Sequence, residues 1–149
     1  TVTVIKNVIL FLEKKGFFYK KICCIYPTSI FYSLSDLKSA LKKLNKNKDY
    51  IFSATKYDHP IYRSFNKVGE KIRMNFVNAE KKRTQDLPTN YHDAGQFYFG
   101  WKSSWIKKKK FFTNKSIFID LPKYRSQDID NITDWKNAET LWKMRRRLK

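Results

Sequence analysis

Two short apolar runs with an amphipathic segment between them constrain the fold of this chain more than any other feature. Residues 22–25, Ile-Cys-Cys-Ile, are apolar at every position, and a second run, Tyr50-Ile51-Phe52-Ser53-Ala54, is nearly so. Continuous apolar runs of this length describe strands covered on both faces. Between them, Ser33 and Asp36 have the offset of a capping box, after which Leu37, Ala40, Leu41 and Leu44 recur at helical steps. Strand, helix and strand in that order imply a right-handed crossover, hence an α/β fold with a parallel-type sheet. Ligands of such sheets bind at the carboxyl ends of the strands. That places interest on Tyr26-Pro27-Thr28-Ser29, just past the first run.

Elsewhere, Ile5, Val8, Ile9 and Leu12 predict an amphipathic helix over residues 4–12. Past Thr55 the segments shorten and alternate, and residues 61–65 and 71–76 flank a loop whose Gly69 suits a hairpin. Residues 56–95 therefore read as an antiparallel excursion within a single domain spanning 1–149. Strands over 95–99 and 116–121 return to the sheet, and a helix over 133–147 closes the chain, with Trp135, Ala138, Leu141 and Trp142 on one face. No apolar run approaches the roughly 20 residues of a membrane span, and no signal-peptide pattern occurs, so the expectation is a cytoplasmic protein with no membrane partner. Cys23 and Cys24 are adjacent, which prevents an unstrained bridge between them, and they read as structural thiols.

A formal net charge of +19 invites a nucleic-acid reading. The 25 lysines and 7 arginines argue against it, because base reading and bidentate phosphate recognition favour Arg. Lysines are spread along the chain, with runs at 107–110 and arginines at 145–147. A solvated basic surface without a specific nucleic-acid partner is expected, the alternative being a basic binding module that uses those two runs.

The main chemical signal is Gln127-Asp128-Ile129-Asp130, followed by Asn131-Ile132-Thr133-Asp134. In an extended segment, side chains two apart share a side, so Asp128 and Asp130 can offer hard oxygens to one Mg²⁺ also held by substrate phosphates. Asp134, three residues after Asn131, fits the first turn of a capped helix.

Tyr26-Pro27-Thr28-Ser29, Arg83-Thr84-Gln85-Asp86-Leu87-Pro88, Tyr91-His92-Asp93-Ala94-Gly95-Gln96-Phe97-Tyr98 and Tyr124-Arg125-Ser126-Gln127-Asp128-Ile129-Asp130 occur in this order. Together they resemble the cytidylyltransferases that activate nonulosonic acids, the sialic-acid-like nine-carbon sugars, and most closely the branch acting on pseudaminic acid. The resemblance implies a Rossmann-like nucleotide-diphosphosugar transferase fold, of which this chain is the C-terminal part. It implies CTP and a nonulosonic acid as substrates, Mg²⁺ as cofactor and a homodimer formed through the excursion. Asp128 and Asp130 match the family's metal carboxylates. Thr28 and Ser29 match a turn beside the substrates. Arg63, Arg83 and Gln85 fall where the acidic sugar is met, and Tyr98, Phe111 and Phe112 fall where aromatic rings wall its N-acyl groups. His92 and Asp93 read as loop residues or substrate contacts, and His59 as a loop group. Three departures stand out. Tyr26 stands where the acylneuraminate branch commonly has Gln, which supports a different sugar. Ile30 replaces the family's Pro after Pro-Thr-Ser, which leaves the turn less rigid. The glycine-, arginine- and lysine-rich loop that cradles CTP phosphates in the family is not found, so an N-terminally truncated domain is expected, the alternatives being the N-acetylneuraminate or legionaminate enzyme of the same family and a non-catalytic remnant that only folds or dimerises.

Overall fold

The structure is a computed structural model describing residues 1–147, with side chains through residue 144, so the arginines at 145–147 lie outside the described side chains. Helix α1 (Val2–Lys14) leads into strand β1 (Lys21–Ile25), helix α2 (Leu34–Lys43) and strand β2 (Tyr50–Lys56). A small hairpin, β3 (Phe65–Val68) and β4 (Lys71–Met74), follows, and then the long strand β5 (Tyr91–Trp101). Helix α3 (Lys102–Ile106), strand β6 (Ser116–Asp120) and helix α4 (Ile132–Arg147) complete the described order.

The main sheet has the order β1-β5-β2-β6. β2 and β6 pair in parallel, as the α/β reading requires, while β5 runs antiparallel to both β1 and β2. The crossover through α2 thus joins two strands of the same direction that are not neighbours. β5 occupies the gap because its Phe97, Tyr98 and Phe99 are apolar on both faces and are buried like β2 beside it, whereas β1, expected to be covered on both faces, is an edge strand that buries only Cys24. The sheet is mixed, with the parallel pair at one edge.

Alternation along the strands divides the core into two layers. Ile51, Phe97, Phe99 and Ile119 pack with Ala40 and Leu44 at the α2 side. Cys24, Tyr50, Phe52 and Tyr98 pack with Ile9 of α1 and Trp105 of α3. Each such fully buried apolar side chain is worth about 1.5–3 kcal/mol relative to exposure, so the two layers together hold the sheet between helices. On α1, Ile5 and Ile9 serve this layer, whereas Val8 stays 46% exposed.

The expected capping box on α2 is present: the Ser33 hydroxyl accepts from the Asp36 N–H, and the Asp36 carboxylate accepts from the Ser33 N–H at 2.7 Å. The β3–β4 hairpin turns at Gly69, whose φ is +63°. Residues 61–63 form a short 3-10 turn instead of a strand, because Pro60 precedes them with φ at −56° and starts the turn. Among the described residues, no helix is long and apolar enough to cross a membrane.

Candidate functional site at the carboxyl end of the sheet

β1, β2 and β6 share a direction, so their carboxyl ends lie together, beside the first half of β5. β5 is deformed here. Phe52 pairs with Tyr98 and Ala54 with Asp93, so the single residue Ser53 of β2 stands opposite residues 94–97 of β5. The bulge is bound from both sides. The Ser53 hydroxyl accepts from the N–H groups of Gln96 (2.9 Å) and Phe97 (3.2 Å), supplying the partners the ladder no longer provides. Gly95 takes φ +62°, a region that side-chain-bearing residues avoid, and its N–H donates to Asp93 Oδ1 at 2.9 Å.

This bulge holds the Pro-Thr-Ser turn. The Ser29 hydroxyl donates to Gly95 O at 3.0 Å, and the Phe31 N–H donates to Gln96 Oε1 at 3.0 Å. Gln96 is 2% exposed and spends its amide on Ala94 O as well. The Ser29 N–H closes the turn onto Tyr26 O. Ser29 is therefore committed to the scaffold, while Thr28, half-buried, is the hydroxyl of the pair that remains beside the open end. His92 and Asp93 lie in β5, not in a loop: strand pairing with Thr55 and Ala54 captures them. Tyr98 Oη donates to Asp93 Oδ2 at 2.5 Å, and burial first, then Asp93, drives the Tyr98 phenol far above its ordinary value. His59 does sit in a bend.

Of the aromatic residues, Tyr98 is a core ring, stacked on Phe52 and tilted against Tyr26 and Phe111. Phe111 is half-buried against Tyr50 at 4.5 Å between ring centroids. Phe112 sits edge-on to Phe52 and is 67% exposed, so it keeps a free face.

The segment after β6 is fastened where it leaves the sheet, since the Thr55 hydroxyl donates to Leu121 O at 2.8 Å and the Leu121 N–H to Ala54 O. It then carries Asp128 and Asp130 to the start of α4. Asn131 caps that helix: its Oδ1 accepts from the N–H groups of Thr133 and Asp134, and Asp134 Oδ2 accepts in return from those of Asn131 and Asp130. Asp134 thus belongs to the cap, as its spacing implied. Asp128 and Asp130 are both exposed, and Asp128 Oδ1 takes one backbone N–H, that of Ile129. α4 lies against the turn after β1, with Trp142 near Phe31 and Ile30 lining an apolar hollow of about 240 Å³ with Trp135 and Ala138.

Among the described residues there is no cluster of three or more His, Cys, Asp or Glu side chains placed to hold a metal. Two exposed carboxylates still fit Mg²⁺, which commonly takes one or two protein carboxylates and fills its octahedron with phosphate oxygens and water.

Arg63, Arg83 and Gln85 lie on the excursion. The Arg63 guanidinium is spent on backbone, donating to Glu80 O at 2.9 Å and to Lys82 O. Arg83 forms an exposed pair with Asp86. Gln85 lines an open cleft of about 420 Å³ with Lys56, Tyr57, Asp58 and Asn90, next to the ends of β2 and β5.

Sequence reasoning passed over Arg125, Asp36 as its partner, Gln96 and Ser53. A signal existed for Arg125, because an Arg placed three residues before Asp128 is conspicuous in a chain that otherwise favours Lys.

No family model matches the chain. It is 34% identical over 143 residues to the pseudaminic acid cytidylyltransferase of Campylobacter jejuni serotype O:2 and 33% identical over 142 residues to that of serotype O:23/36. These alignments cover 95% and 94% of this chain, which spans 62% and 61% of the length of those curated relatives. A Helicobacter pylori protein, pseudaminic acid cytidylyltransferase and UDP-2,4-diacetamido-2,4,6-trideoxy-beta-L-altropyranose hydrolase, is 37% identical over 109 residues, covering 72% of this chain and 21% of its own. The chain is thus a homologue of the pseudaminic acid cytidylyltransferases, aligned along nearly all of its own length with part of theirs.

Proposed function

We propose that the chain forms the sugar-side and metal-side part of a cytidylyltransferase that moves CMP from CTP to a nonulosonic acid, pseudaminic acid before others, for surface glycan biosynthesis. The observation that carries this reading is the convergence at one end of the sheet of the Pro-Thr-Ser turn, the β5 bulge and, through Arg125 on Phe31 O, the stretch that leads to Asp128 and Asp130, in a chain homologous to enzymes of that name. In the reaction the sugar's C2 hydroxyl loses its proton to water, its oxygen forms a bond to the α-phosphorus, the bond from that phosphorus to the oxygen bridging to the β-phosphate breaks, and pyrophosphate leaves with that oxygen. Such a step needs positioning and charge neutralisation rather than a protein nucleophile.

Asp128 and Asp130 would hold Mg²⁺, whose contribution when bound is to offset the charge of the triphosphate. Thr28 lies where a hydroxyl can orient substrate, and Phe112 offers an apolar face for an N-acyl group. Gln85 in its cleft and Arg83, whose pairing is exposed and weak in water, are the groups available to an acidic sugar. Arg63 acts as a brace for the excursion that carries them. A homodimer formed through residues 56–95 and a cytoplasmic location complete the reading. N-acetylneuraminate and legionaminate are the alternative sugars.

The test replaces the matched region of the Campylobacter jejuni serotype O:2 relative with this chain and follows pyrophosphate release from CTP with each of the three sugars. Preference for pseudaminic acid is expected. Preference for N-acetylneuraminate or legionaminate would reassign the sugar, and no release with any would reject the reading.

A further inference from the structure

The eleven residues between β6 and α4 lie outside any sheet or α-helix apart from one short 3-10 turn, yet they carry Asp128 and Asp130. Between the Thr55 bond at their start and the Asn131–Asp134 cap at their end, two of their own side chains fasten them. Lys123 pairs with Asp58 at the surface, where both partners are about half exposed or more. Arg125 turns inward: its side chain is 14% exposed and that of its partner Asp36 13%.

The bonding around Arg125 is directional. One terminal nitrogen donates to Asp36 Oδ2, and Nε donates to Phe31 O at 2.9 Å. Asp36 is itself fixed at the start of α2, since its Oδ2 also accepts the Ser33 N–H (2.7 Å) and hydroxyl (2.5 Å). Phe31 is fixed in turn, because its N–H is bound to the buried Gln96 of the β5 bulge. Burial works to raise the Asp36 carboxyl, but the hydrogen bonds from Arg125 and Ser33 outweigh it and hold the group below its ordinary value, so it is a carboxylate at neutral pH.

A part-buried ion pair is weak evidence for stability, because desolvation cancels much of the attraction. Its geometry is better evidence. A guanidinium can serve a carboxylate and a carbonyl in fixed directions at once, which a lysine ammonium does poorly. We propose that Arg125 is a positioning residue that transmits the rigidity of the Pro-Thr-Ser turn and the α2 N-terminus to the Asp128/Asp130 segment, setting both carboxylates for a metal. The inference rests on the reading of those carboxylates as metal ligands.

The probe is Mn²⁺ alone, titrated into the 149-residue chain and read by electron paramagnetic resonance, with hydrogen exchange measured over residues 126–131. The variants are Arg125→Lys and Asp36→Asn, with Lys123→Ala as the control that removes only the surface pair. The wild-type chain is expected to bind Mn²⁺ in a manner lost in Asp128→Asn. Both Arg125→Lys and Asp36→Asn should weaken that binding by about tenfold, as loss of an outer partner of a metal ligand does, and speed exchange across 126–131. Lys123→Ala should change neither. A merely structural role would lower the melting temperature of the variants without moving Mn²⁺ affinity or loop exchange while they stay folded, and that result would overturn the proposal. Wild-type Mn²⁺ binding that is absent or indifferent to Asp128→Asn would overturn the underlying metal reading, and the positioning role with it.

Discussion

At the carboxyl end of the sheet, Ser29, Ser53, Thr55 and Gln96 are buried and each is hydrogen-bonded, whereas on the β3–β4 hairpin the apolar residues Phe65, Val68 and Ile72 are more than half exposed. The first region satisfies its polar groups within one chain and so has one geometry available to it. The second has little to bury against within the chain: its two strands pair only with each other, and an isolated hairpin is marginal in water. A site that must hold substrates in register belongs on the first kind of surface. A surface that meets a second protomer belongs on the second kind, and the excursion, proposed for the dimer contact on the family resemblance, is of that kind.

Glycine substitutions in the two regions should separate them most sharply. A Cβ on Gly100 of β5 would lie 2.6 Å from the Tyr50 ring and 2.8 Å from Trp105 Nε1, inside a packed aromatic cluster. Gly100→Ala should therefore destabilise by about 3 kcal/mol, the upper part of the range for overpacking, read by denaturant unfolding. Tyr98→Phe, which removes the phenolic donor to the Asp93 carboxylate, should cost about 2 kcal/mol, as expected for a hydrogen bond to a charged group. Gly69→Ala meets no atom within 4 Å and suffers only from its φ of +63°, so a cost of about 1 kcal/mol is expected. If Gly69→Ala proved as damaging as Gly100→Ala, the contrast between a packed sheet and a loosely held hairpin would fail.

Titration sharpens the same contrast. Burial first, and then Asp49, raises the Tyr50 phenol from 10.0 to about 12. A group whose value is higher folded than unfolded contributes stability that is complete below the unfolded value and declines as pH rises through the folded one. Stability should thus fall between about pH 10 and pH 12, a loss that Tyr50→Phe should reduce. Cys23, raised to about 12 by burial and then by Cys24, and Cys24, also raised by burial, should react slowly with thiol reagents until the chain unfolds. Rapid labelling of both in the folded state would contradict their reading as structural thiols.

Local patterns carried most of the fold into the sequence. The α2 capping box and the Asn131–Asp134 cap were legible because each is a side chain bonding to backbone three residues away. The strands were legible because continuous apolar runs admit few alternatives. The insertion of β5 between β1 and β2 was not, since pairing order is decided by contacts 35 to 80 residues apart and leaves no mark on either strand alone. The same holds at the site. Asp128 and Asp130 stand out as a local pattern, but Arg125 gains its meaning only from Asp36 and Phe31, at separations of 89 and 94 residues. Ser29 and Tyr98, read as substrate contacts, proved to be scaffold as well, since a hydroxyl in a motif does not declare which way it points.

The central claim, that this end of the sheet carries the metal and sugar chemistry of CMP transfer, is tested most directly by steady-state pyrophosphate release from the chimera that restores the relatives' full length. Asp128→Asn and Asp130→Asn should each lower kcat on the order of 10² or more, the scale seen when a preorganised charge-stabilising group is lost, with thermal melts unchanged because both side chains are exposed. The 149-residue chain alone should release no pyrophosphate. Near-normal turnover in a well-folded Asp128→Asn or Asp130→Asn chimera would reduce the Asp-Ile-Asp segment to the lead-in of α4 and contradict the account.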